Sequence, residues 1–147
     1  MVHQLTHEDG LTISDDPARF DLARAHHWIS VESYWAQGIP LETFRKAVEN
    51  SLTIGAYHAD GRMLGMARVV TDRATFGWIC DVFVDEAARG MSLGKLMVGY
   101  LRGHPDLQGF RRTHLATRDA HGLYAQFGFV PLTGPDSWME IRGPGYF

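Results

Sequence analysis

A stretch of cationic and glycine residues lies where a predicted strand gives way to a predicted helix. The stretch, DVFVDEAARGMSLGKLMVGYL, runs from Asp81 to Leu101 and places Arg89, Gly90 and Lys95 at the mouth of the helix. A helix N-terminus presents unpaired backbone N–H groups and the positive end of the helix dipole. Glycine allows a ligand to approach the backbone closely, so the arrangement favours binding of a phosphate or pyrophosphate. A tight turn with solvated cations is the alternative.

Two common nucleotide-binding motifs do not fit this stretch. A P-loop needs G-x-x-x-x-G-K-[ST], but Gly90 and Gly94 are one residue too close, and Leu96 stands where the Mg²⁺-binding hydroxyl belongs. The dinucleotide pattern G-x-G-x-x-G is absent from the sequence. Nucleotide hydrolysis is therefore the weaker interpretation.

The composition is that of an ordinary globular domain. The 147 residues carry 45% hydrophobic and 21% charged side chains, which predicts one domain over residues 1–147. A net charge of −3 gives no field that would attract nucleic acid. The apolar runs are too short to span a membrane and the N-terminus has no signal-peptide pattern, so we expect a cytoplasmic protein. One cysteine and scattered histidines predict no disulfide and no metal site.

The hydrophobic pattern predicts an α/β fold with a mixed sheet. Asp60-Gly61 lies between two strand-like runs and predicts a type I′ hairpin, and a second turn at Thr71–Ala74 leads into a strand over Thr75–Val84. The crossover from that strand to Arg111–Thr117 is long enough to make the two strands parallel. Further strands are predicted at three places: Leu11–Asp16, FVPL (129–132) and WMEIR (138–142), followed by a tail, GPGYF (143–147).

Four helices are predicted from periodicity and capping signals. Asp16 before Pro17 is a helix-start signal, and the LETFRKAVEN run (41–50) predicts a second helix after a break at residues 33–40. A third helix follows the Gly90 turn, because Leu93, Leu96, Met97, Tyr100 and Leu101 share one face. The DAHGLYAQFG run predicts a fourth, with Asp119 as its cap and Gly128 as its end.

Two motifs together resemble the GCN5-related N-acetyltransferase (GNAT) superfamily. The VFVDEAARGMSLGKLM stretch is similar to the family's strand followed by R/Q-x-x-G-x-G/A, with Ser92 in place of the usual middle glycine. The AHGLYAQFGFVPL stretch is similar to its A-x-x-L-Y-x-x-x-G-F segment, with Tyr124 in register and Thr117 where an Asn is usual. The order of elements along almost the whole chain also agrees.

The resemblance implies acetyl-CoA as the acetyl donor. Its pantetheine arm would lie between the splayed strands, hydrogen-bonded to backbone near Phe83 and Val84. Its pyrophosphate would lie on the N–H groups of the turn. The Cβ of Ser92 is tolerated there only at a negative φ. The implied cofactor-binding residues are Phe83, Val84, Arg89, Gly90, Met91, Ser92, Leu93, Gly94, Lys95 and Thr117.

The resemblance makes Tyr124 the proton donor to the departing CoA sulfur. A base is also needed, because an alkylammonium of pKa about 10.4 is only about 0.04% neutral at pH 7. Asp81, an acid in an apolar strand, is the candidate, and simple alternation places it on one face with Ile79 and Phe83 unless a bulge intervenes. Asp81 could instead hold a structural partner such as Arg68 or His121. Cys80 is interpreted as a buried hydrophobe rather than an acyl carrier.

The acceptor is predicted to be a primary amine on a small molecule. Tyr34 and Trp35, at a helix break, and His121 are the predicted substrate-binding residues, while Glu32 and Asp72 are further acids that would suit a cationic acceptor. A protein N-terminus or lysine side chain is the second choice of acceptor. A non-catalytic acyl-CoA-binding module is a different class of hypothesis. The family resemblance also suggests a homodimer.

Overall fold

A computed structural model describes residues 1–144 and contains a six-stranded mixed sheet. Within that range the strands lie in the sheet in chain order. Their bounds are β1 Gln4–Thr6, β2 Thr12–Ser14, β3 Leu52–Tyr57, β4 Met63–Thr71, β5 Phe76–Val84 and β6 Arg112–Leu115. The helices are α1 Leu22–His27, continued by a π-helical turn at Trp28–Glu32, then α2 Leu41–Glu49, α3 Leu93–Gly103 and α4 His121–Ala125.

The first five strands form antiparallel neighbours, and β6 lies parallel to β5. The chain passes from β5 to β6 through α3, so the predicted βαβ unit and the mixed α/β sheet are confirmed. The parallel register runs from Phe76 opposite Arg112 to Ile79 opposite Leu115. The β5 strand continues to Val84, beyond the last residue that β6 pairs. The pairing between the two strands therefore ends five residues before β5 does.

The sheet has a buried cluster on each face. Alternate strand residues such as Ile54, Val69 and Ile79 form one cluster with the apolar side of α3. Tyr57 and Phe83 belong to the other cluster, with α1, the π-helical turn and α2. Helix α3 buries the predicted stripe in part, since Leu93, Met97, Val98, Tyr100 and Leu101 are its buried residues.

The hairpin between β3 and β4 has a different turn from the one predicted at Asp60-Gly61. A type I′ turn needs positive φ at both central residues. Gly61 has φ of +94°, but within residues 1–144 the non-glycine residues with positive φ are Arg73, Asp81 and Ser92, so Asp60 is not left-handed. The Asp60 carboxylate instead accepts a hydrogen bond from the Arg62 N–H at 2.9 Å. This bond stabilises a turn in which only the glycine is left-handed.

Two predicted helix starts were wrong by a few residues. Asp16 accepts a hydrogen bond from the Ala18 N–H in an isolated turn, whereas α1 is capped by Asp21, which accepts from the Arg24 N–H at 3.1 Å. At α4 the cap position is held by Ala120 rather than Asp119. There the Thr117 hydroxyl accepts from the Ala120 N–H at 3.0 Å. Short polar side chains stabilise turns as well as helix ends, so their presence alone does not locate the first helical residue.

The predicted strands FVPL and WMEIR are not strands in the structure. A 3₁₀ turn covers Pro135–Ser137, and residues 138–144 have no regular secondary structure. Of the predicted tail, Gly143 and Pro144 are irregular, and residues 145–147 lie outside the described residues. A β-like sequence becomes a strand only when it hydrogen-bonds to a neighbouring strand, and these residues pair with no strand within 1–144.

Among residues 1–144, every helix is too short or too polar to cross a lipid bilayer.

Candidate active site

A β-bulge in β5 lies at the centre of the candidate site. Met66 is opposite Phe83 and Arg68 is opposite Cys80, so the single residue Ala67 faces two residues of β5. The extra residue is Asp81, which has φ of +52°. Asp is among the few residue types that adopt this conformation at moderate cost. The bulge breaks simple alternation, so Ile79 packs with α3 while Phe83 packs in the opposite cluster.

The Asp81 carboxylate is buried and receives two hydrogen bonds. Arg68 Nε donates to one oxygen at 2.9 Å, and Trp35 Nε1 donates to the other at 2.9 Å. The Arg68 guanidinium also donates to the Ser51 hydroxyl at 3.0 Å. A buried carboxylate is stable only if it is paired and hydrogen-bonded, and this arrangement meets both conditions. Of the two partners considered from the sequence, Arg68 is the one in contact.

The Trp35 segment connects this carboxylate to the loop before α4. The rings of Tyr34 and Trp35 meet edge to face at 5.0 Å between centroids. The Tyr34 hydroxyl accepts a hydrogen bond from the Arg118 N–H at 3.0 Å, and the Arg118 guanidinium lies 3.8 Å from the Tyr34 ring centroid. Arg118 was not among the residues predicted from the sequence, because a cation–π pair between residues 84 positions apart leaves no local signal.

Tyr124 lies on α4 with its ring buried. Only 8% of the residue is exposed, and its ring meets that of Phe129 edge to face at 5.9 Å. Burial, and after it the neighbouring phenol of Tyr34, raises the pKa of Tyr124 to about 12. The phenol of Tyr124 stays protonated throughout the pH range in which the protein would work.

The C-terminal part of β5 has an open edge on the side where β6 lies. Within residues 1–144, the backbone from Cys80 to Val84 has no β6 partner on that side. Near the end of this edge the Arg89 side chain folds back, with Nε donating to the Val84 carbonyl at 3.3 Å and the guanidinium 5.6 Å from the Phe83 ring centroid. This carbonyl is one of the backbone groups expected to bind pantetheine, so a bound arm would compete with the Arg89 side chain for it.

The turn before α3 contains two left-handed residues, Gly90 and Ser92, on either side of Met91. Gly90 has φ of +92°, with nothing within 4 Å of the position of a Cβ. Ser92 has φ of +58° at the N-cap of α3 and makes no side-chain capping bond. The condition of a negative φ at Ser92 is therefore not met, and the left-handed conformation costs a non-glycine residue about 1–2 kcal/mol. Gly94 lies near Leu123 of α4, with 3.8 Å between an added Cβ and the leucine methyl, so the turn and the Tyr124 helix are neighbours.

Three other residues considered from the sequence, Cys80, His121 and Thr117, lie in different surroundings. Burial raises the pKa of the Cys80 thiol to about 12, against a smaller opposite effect of Arg68. A thiol of this pKa is a poor nucleophile at neutral pH, since the thiolate is the reactive form. His121 is exposed at the first residue of α4, and Thr117 is half-buried just before it.

The chain belongs to the acetyltransferase (GNAT) family, whose sequence pattern matches residues 19–129. A protein of Xanthomonas campestris pv. campestris assigned to the GNAT family of acetyltransferases has a crystal structure that is 43% identical, with a TM-score of 0.88 over 92% of this chain and 94% of that one. A Mycobacterium tuberculosis protein crystallised with CoA is 25% identical, with a TM-score of 0.58 over 80% of this chain and 75% of that one.

A curated relative from rice, Oryza sativa subsp. japonica, is glucosamine 6-phosphate N-acetyltransferase 1. It is 33% identical over 104 residues, which is 60% of this chain and 63% of that protein. The family resemblance read from the Arg89–Lys95 and Tyr124 motifs is thereby confirmed, and so is the fold.

The buried carboxylate at the bulge yields a stability prediction. We expect Asp81→Ala to lower the free energy of unfolding by about 3 kcal/mol, because Arg68 and Trp35 lose their acceptor and alanine is strained at positive φ. Asp81→Gly should lose about 1 kcal/mol less than the alanine variant, because glycine adopts this φ without strain. Urea unfolding of both variants measures the difference. An alanine variant as stable as the wild type would show that the carboxylate does not hold the bulge.

Proposed function

We propose that the protein is an acetyl-CoA-dependent N-acetyltransferase that acetylates a primary amine of a small molecule by direct attack. The observation that carries the proposal is the open edge of β5, which continues past its last β6 partner and leads into the N-terminus of α3. An extended ligand with amide groups can add to such an edge, and its phosphates can lie at the helix terminus.

The residues around that edge fit acetyl-CoA. The backbone at Phe83 and Val84 would take the pantetheine amides, and the turn from Arg89 to Lys95 would take the pyrophosphate. Gly90 supports this assignment, since no side chain fills the space where its Cβ would be. Ser92 supports it as well, because its hydroxyl makes no capping bond and the first N–H groups of α3 stay available. Thr117 accepts a bond from Ala120 and keeps its own hydroxyl proton for a ligand.

Acetyl-CoA, when bound, supplies the thioester whose acetyl group is transferred. The chain would then have to stabilise a developing negative charge on the leaving sulfur. Tyr124 is our donor, since its Oη holds a proton at any working pH. With a pKa of about 12, the phenol is a far weaker acid than a thiol of pKa about 8.5, so complete transfer would cost on the order of 5 kcal/mol. A hydrogen bond from Oη to the sulfur is therefore the role that we assign to Tyr124.

The role of Asp81 as the general base stays a prediction. Making the amine neutral costs about 4–5 kcal/mol at pH 7, so a nearby acceptor for its proton would help. Each Asp81 oxygen accepts one hydrogen bond and has a second lone pair, so a water or an amine could still reach it. The contacts with Arg68 and Trp35 equally suit a carboxylate that positions the strand.

For the acceptor we propose contacts with Tyr34, Trp35 and His121. Trp35 contacts Asp81, and Tyr34 contacts Arg118 in the loop before α4, so the two aromatic residues connect the bulge to that loop. The rice relative, named for acetylation of an amino sugar phosphate, supports a small-molecule amine. A protein N-terminus or lysine as acceptor would be recognised by turnover with peptides but not with small amines in an acetylation panel.

The first functional prediction concerns Tyr124. We expect Tyr124→Phe to lower kcat by about 100- to 1,000-fold, because the hydrogen bond to the leaving sulfur is lost, while affinity for CoA stays within about twofold. Release of CoA thiol measures kcat and calorimetry measures affinity. Tyr100→Phe is the matched control, since Tyr100 is a buried tyrosine whose hydroxyl donates to the His3 carbonyl instead. Wild-type kcat in Tyr124→Phe would remove this residue from the reaction. A wild-type protein that binds CoA and acetylates no amine would be a binding module.

The second functional prediction concerns the pyrophosphate site. Arg89→Glu should weaken acetyl-CoA binding at least about tenfold at low salt, because a carboxylate would stand beside the phosphates. Arg73→Glu is the control, since Arg73 lies in the β4–β5 turn at the other end of β5. Calorimetry at two salt concentrations tests both variants. If Arg89→Glu and Arg73→Glu bind acetyl-CoA with equal affinity, the pyrophosphate does not lie at this turn.

The third functional prediction tests the base. If Asp81 accepts the proton of the amine, Asp81→Asn should lower kcat/KM about 100-fold or more, and the rise of kcat/KM with pH should change shape. Circular dichroism and urea unfolding establish whether the variant is folded. A folded variant with the wild-type pH profile would leave Asp81 a positioning role only.

A further inference from the structure

Two large apolar side chains lie exposed next to each other in the middle of the sheet. Trp78 of β5 is 38% exposed and Val70 of β4 is 44% exposed, and the two residues are opposite each other in the antiparallel register. Where a sheet face meets water, its side chains are usually polar. Neighbouring exposed apolar residues often mark a binding site, so the question is what this pair could bind.

Strand alternation places the pair on the Asp81 side of the sheet. Arg68 is opposite Cys80, and its Nε donates to the Asp81 carboxylate, so these three side chains share one face. Val70 is two residues after Arg68, and Trp78 is two residues before Cys80. Because side chains two positions apart in a strand point the same way, the exposed pair lies beside the candidate active site.

His114 extends the pair to a third strand. It is opposite Trp78 in the parallel register, and the following pair, Ile79 with Leu115, is the last one between β5 and β6. Val70, Trp78 and His114 together are called the Trp78 platform. The platform crosses three strands next to the point where the pairing of β5 and β6 ends.

The helices on this side of the sheet pack on its other half. Met66 and Phe83 are opposite each other and belong to the cluster formed with α1, the π-helical turn and α2. They lie on one side of the Arg68–Cys80 pair, and the platform lies on the other. One half of the face is therefore covered by helices and the other is open, and Asp81 lies at the boundary between them.

The position of the platform suits the expected course of acetyl-CoA. If the cosubstrate binds as proposed, its pantetheine arm follows β5 from Val84 toward Cys80 and brings the thioester close to Asp81. Trp78 lies three residues from Asp81 along the same strand, a distance of at most about 10 Å. An amine that reacts with the thioester could then place the rest of its molecule over the platform.

The chemistry of the platform favours a flat, uncharged body. An indole offers a large aromatic surface, on which another ring stacks or packs edge to face. The charges nearest to it compensate each other, because Arg68 Nε lies 2.9 Å from the Asp81 carboxylate. Burial keeps the thiol of Cys80 protonated by raising its pKa to about 12. The surface between Asp81 and Trp78 is therefore close to neutral.

We propose that the Trp78 platform binds the body of the acceptor, and that the acceptor is a primary amine joined to an aromatic ring by a chain of two or three carbons. Trp78 is the specificity-determining residue, since the ring stacks on its indole while the amine reaches the thioester. Val70 and His114 border the ring on either side. The inference rests on the proposed acetyl transfer and narrows the class of its substrate.

The first test measures binding without reaction. With CoA in place of acetyl-CoA, tryptamine can bind but cannot be acetylated, and calorimetry gives its dissociation constant. We expect tryptamine to bind the wild-type protein at least about tenfold more tightly than n-butylamine. Trp78→Leu should weaken tryptamine binding at least about fivefold and leave n-butylamine within about twofold, because leucine is apolar but offers no ring. Equal affinity of wild type and Trp78→Leu for tryptamine, or a wild-type protein that binds neither amine, would overturn the inference.

Two control variants separate stacking from a general loss of structure. Trp78→Phe keeps an aromatic ring and should bind tryptamine within about threefold of the wild type. Leu5→Ser changes an exposed apolar residue on β1, at the opposite edge of the sheet, and should have no effect on binding. Circular dichroism checks that each variant is folded. If Trp78→Phe loses as much affinity as Trp78→Leu, or Leu5→Ser loses it too, stacking on Trp78 is not the cause and the inference is wrong.

The second test uses acetyl-CoA and compares kcat/KM for the same two amines. We expect Trp78→Leu to lower the preference for tryptamine over n-butylamine at least about fivefold, mainly through KM, because the platform contacts the part of the acceptor that does not react. An unchanged preference would refute the platform and leave the acetyl transfer standing. Selective tryptamine binding in the first test without acetylation of any amine would instead contradict the acetyl transfer and support the platform as a binding site.

Discussion

The hydrogen bonds from Arg68 and Trp35 to the buried carboxylate of Asp81 decide how β5 is built. They hold an extra residue in the strand at positive φ, and that residue reverses the faces on which the following side chains lie. As a result Phe83 packs against the π-helical turn and α1, with its ring stacked on Trp28 at 5.5 Å. The same carboxylate holds the loop that contains Tyr34. The shape of the strand edge and the position of the loop over it therefore have a common cause.

The two helices near this edge are positioned by different means. Helix α3 is fixed by its apolar side, which packs on the sheet, and by Tyr100, whose hydroxyl donates to the His3 carbonyl at 2.6 Å. Helix α4 is only five residues long, and its contacts are made by Tyr124, Leu123 and the Tyr34–Arg118 pair before it. A short helix held by a few side chains is easier to displace than one with a long buried stripe. The Tyr124 side of the site is thus the less rigid one.

Much of the sheet and α3 could be predicted, because their signals are local. The alternation of apolar and polar residues predicted the meander from β3 to β5, and the i, i+3, i+4 spacing of apolar residues from Leu93 predicted α3. The Arg89 and Tyr124 motifs gave the family. Other features depend on distant partners: the bulge at Asp81 needs Arg68 and Trp35, and Arg118 reaches Tyr34 across 84 positions. The left-handed φ of Ser92 arises from the turn as a whole. The strands expected after Phe129 had the right pattern, but those residues pair with no strand within residues 1–144.

The protected state of Cys80 has a practical value for enzymology. It is the chain's only cysteine, and its thiol has a pKa of about 12. At pH 8 only about one molecule in ten thousand would carry the thiolate that reacts with aromatic disulfide reagents such as Ellman's reagent. The native protein should therefore contribute almost no colour of its own to an assay of this kind. Slow colour development from the protein alone would instead report opening of the sheet around β5, which makes the same residue a built-in probe of local unfolding.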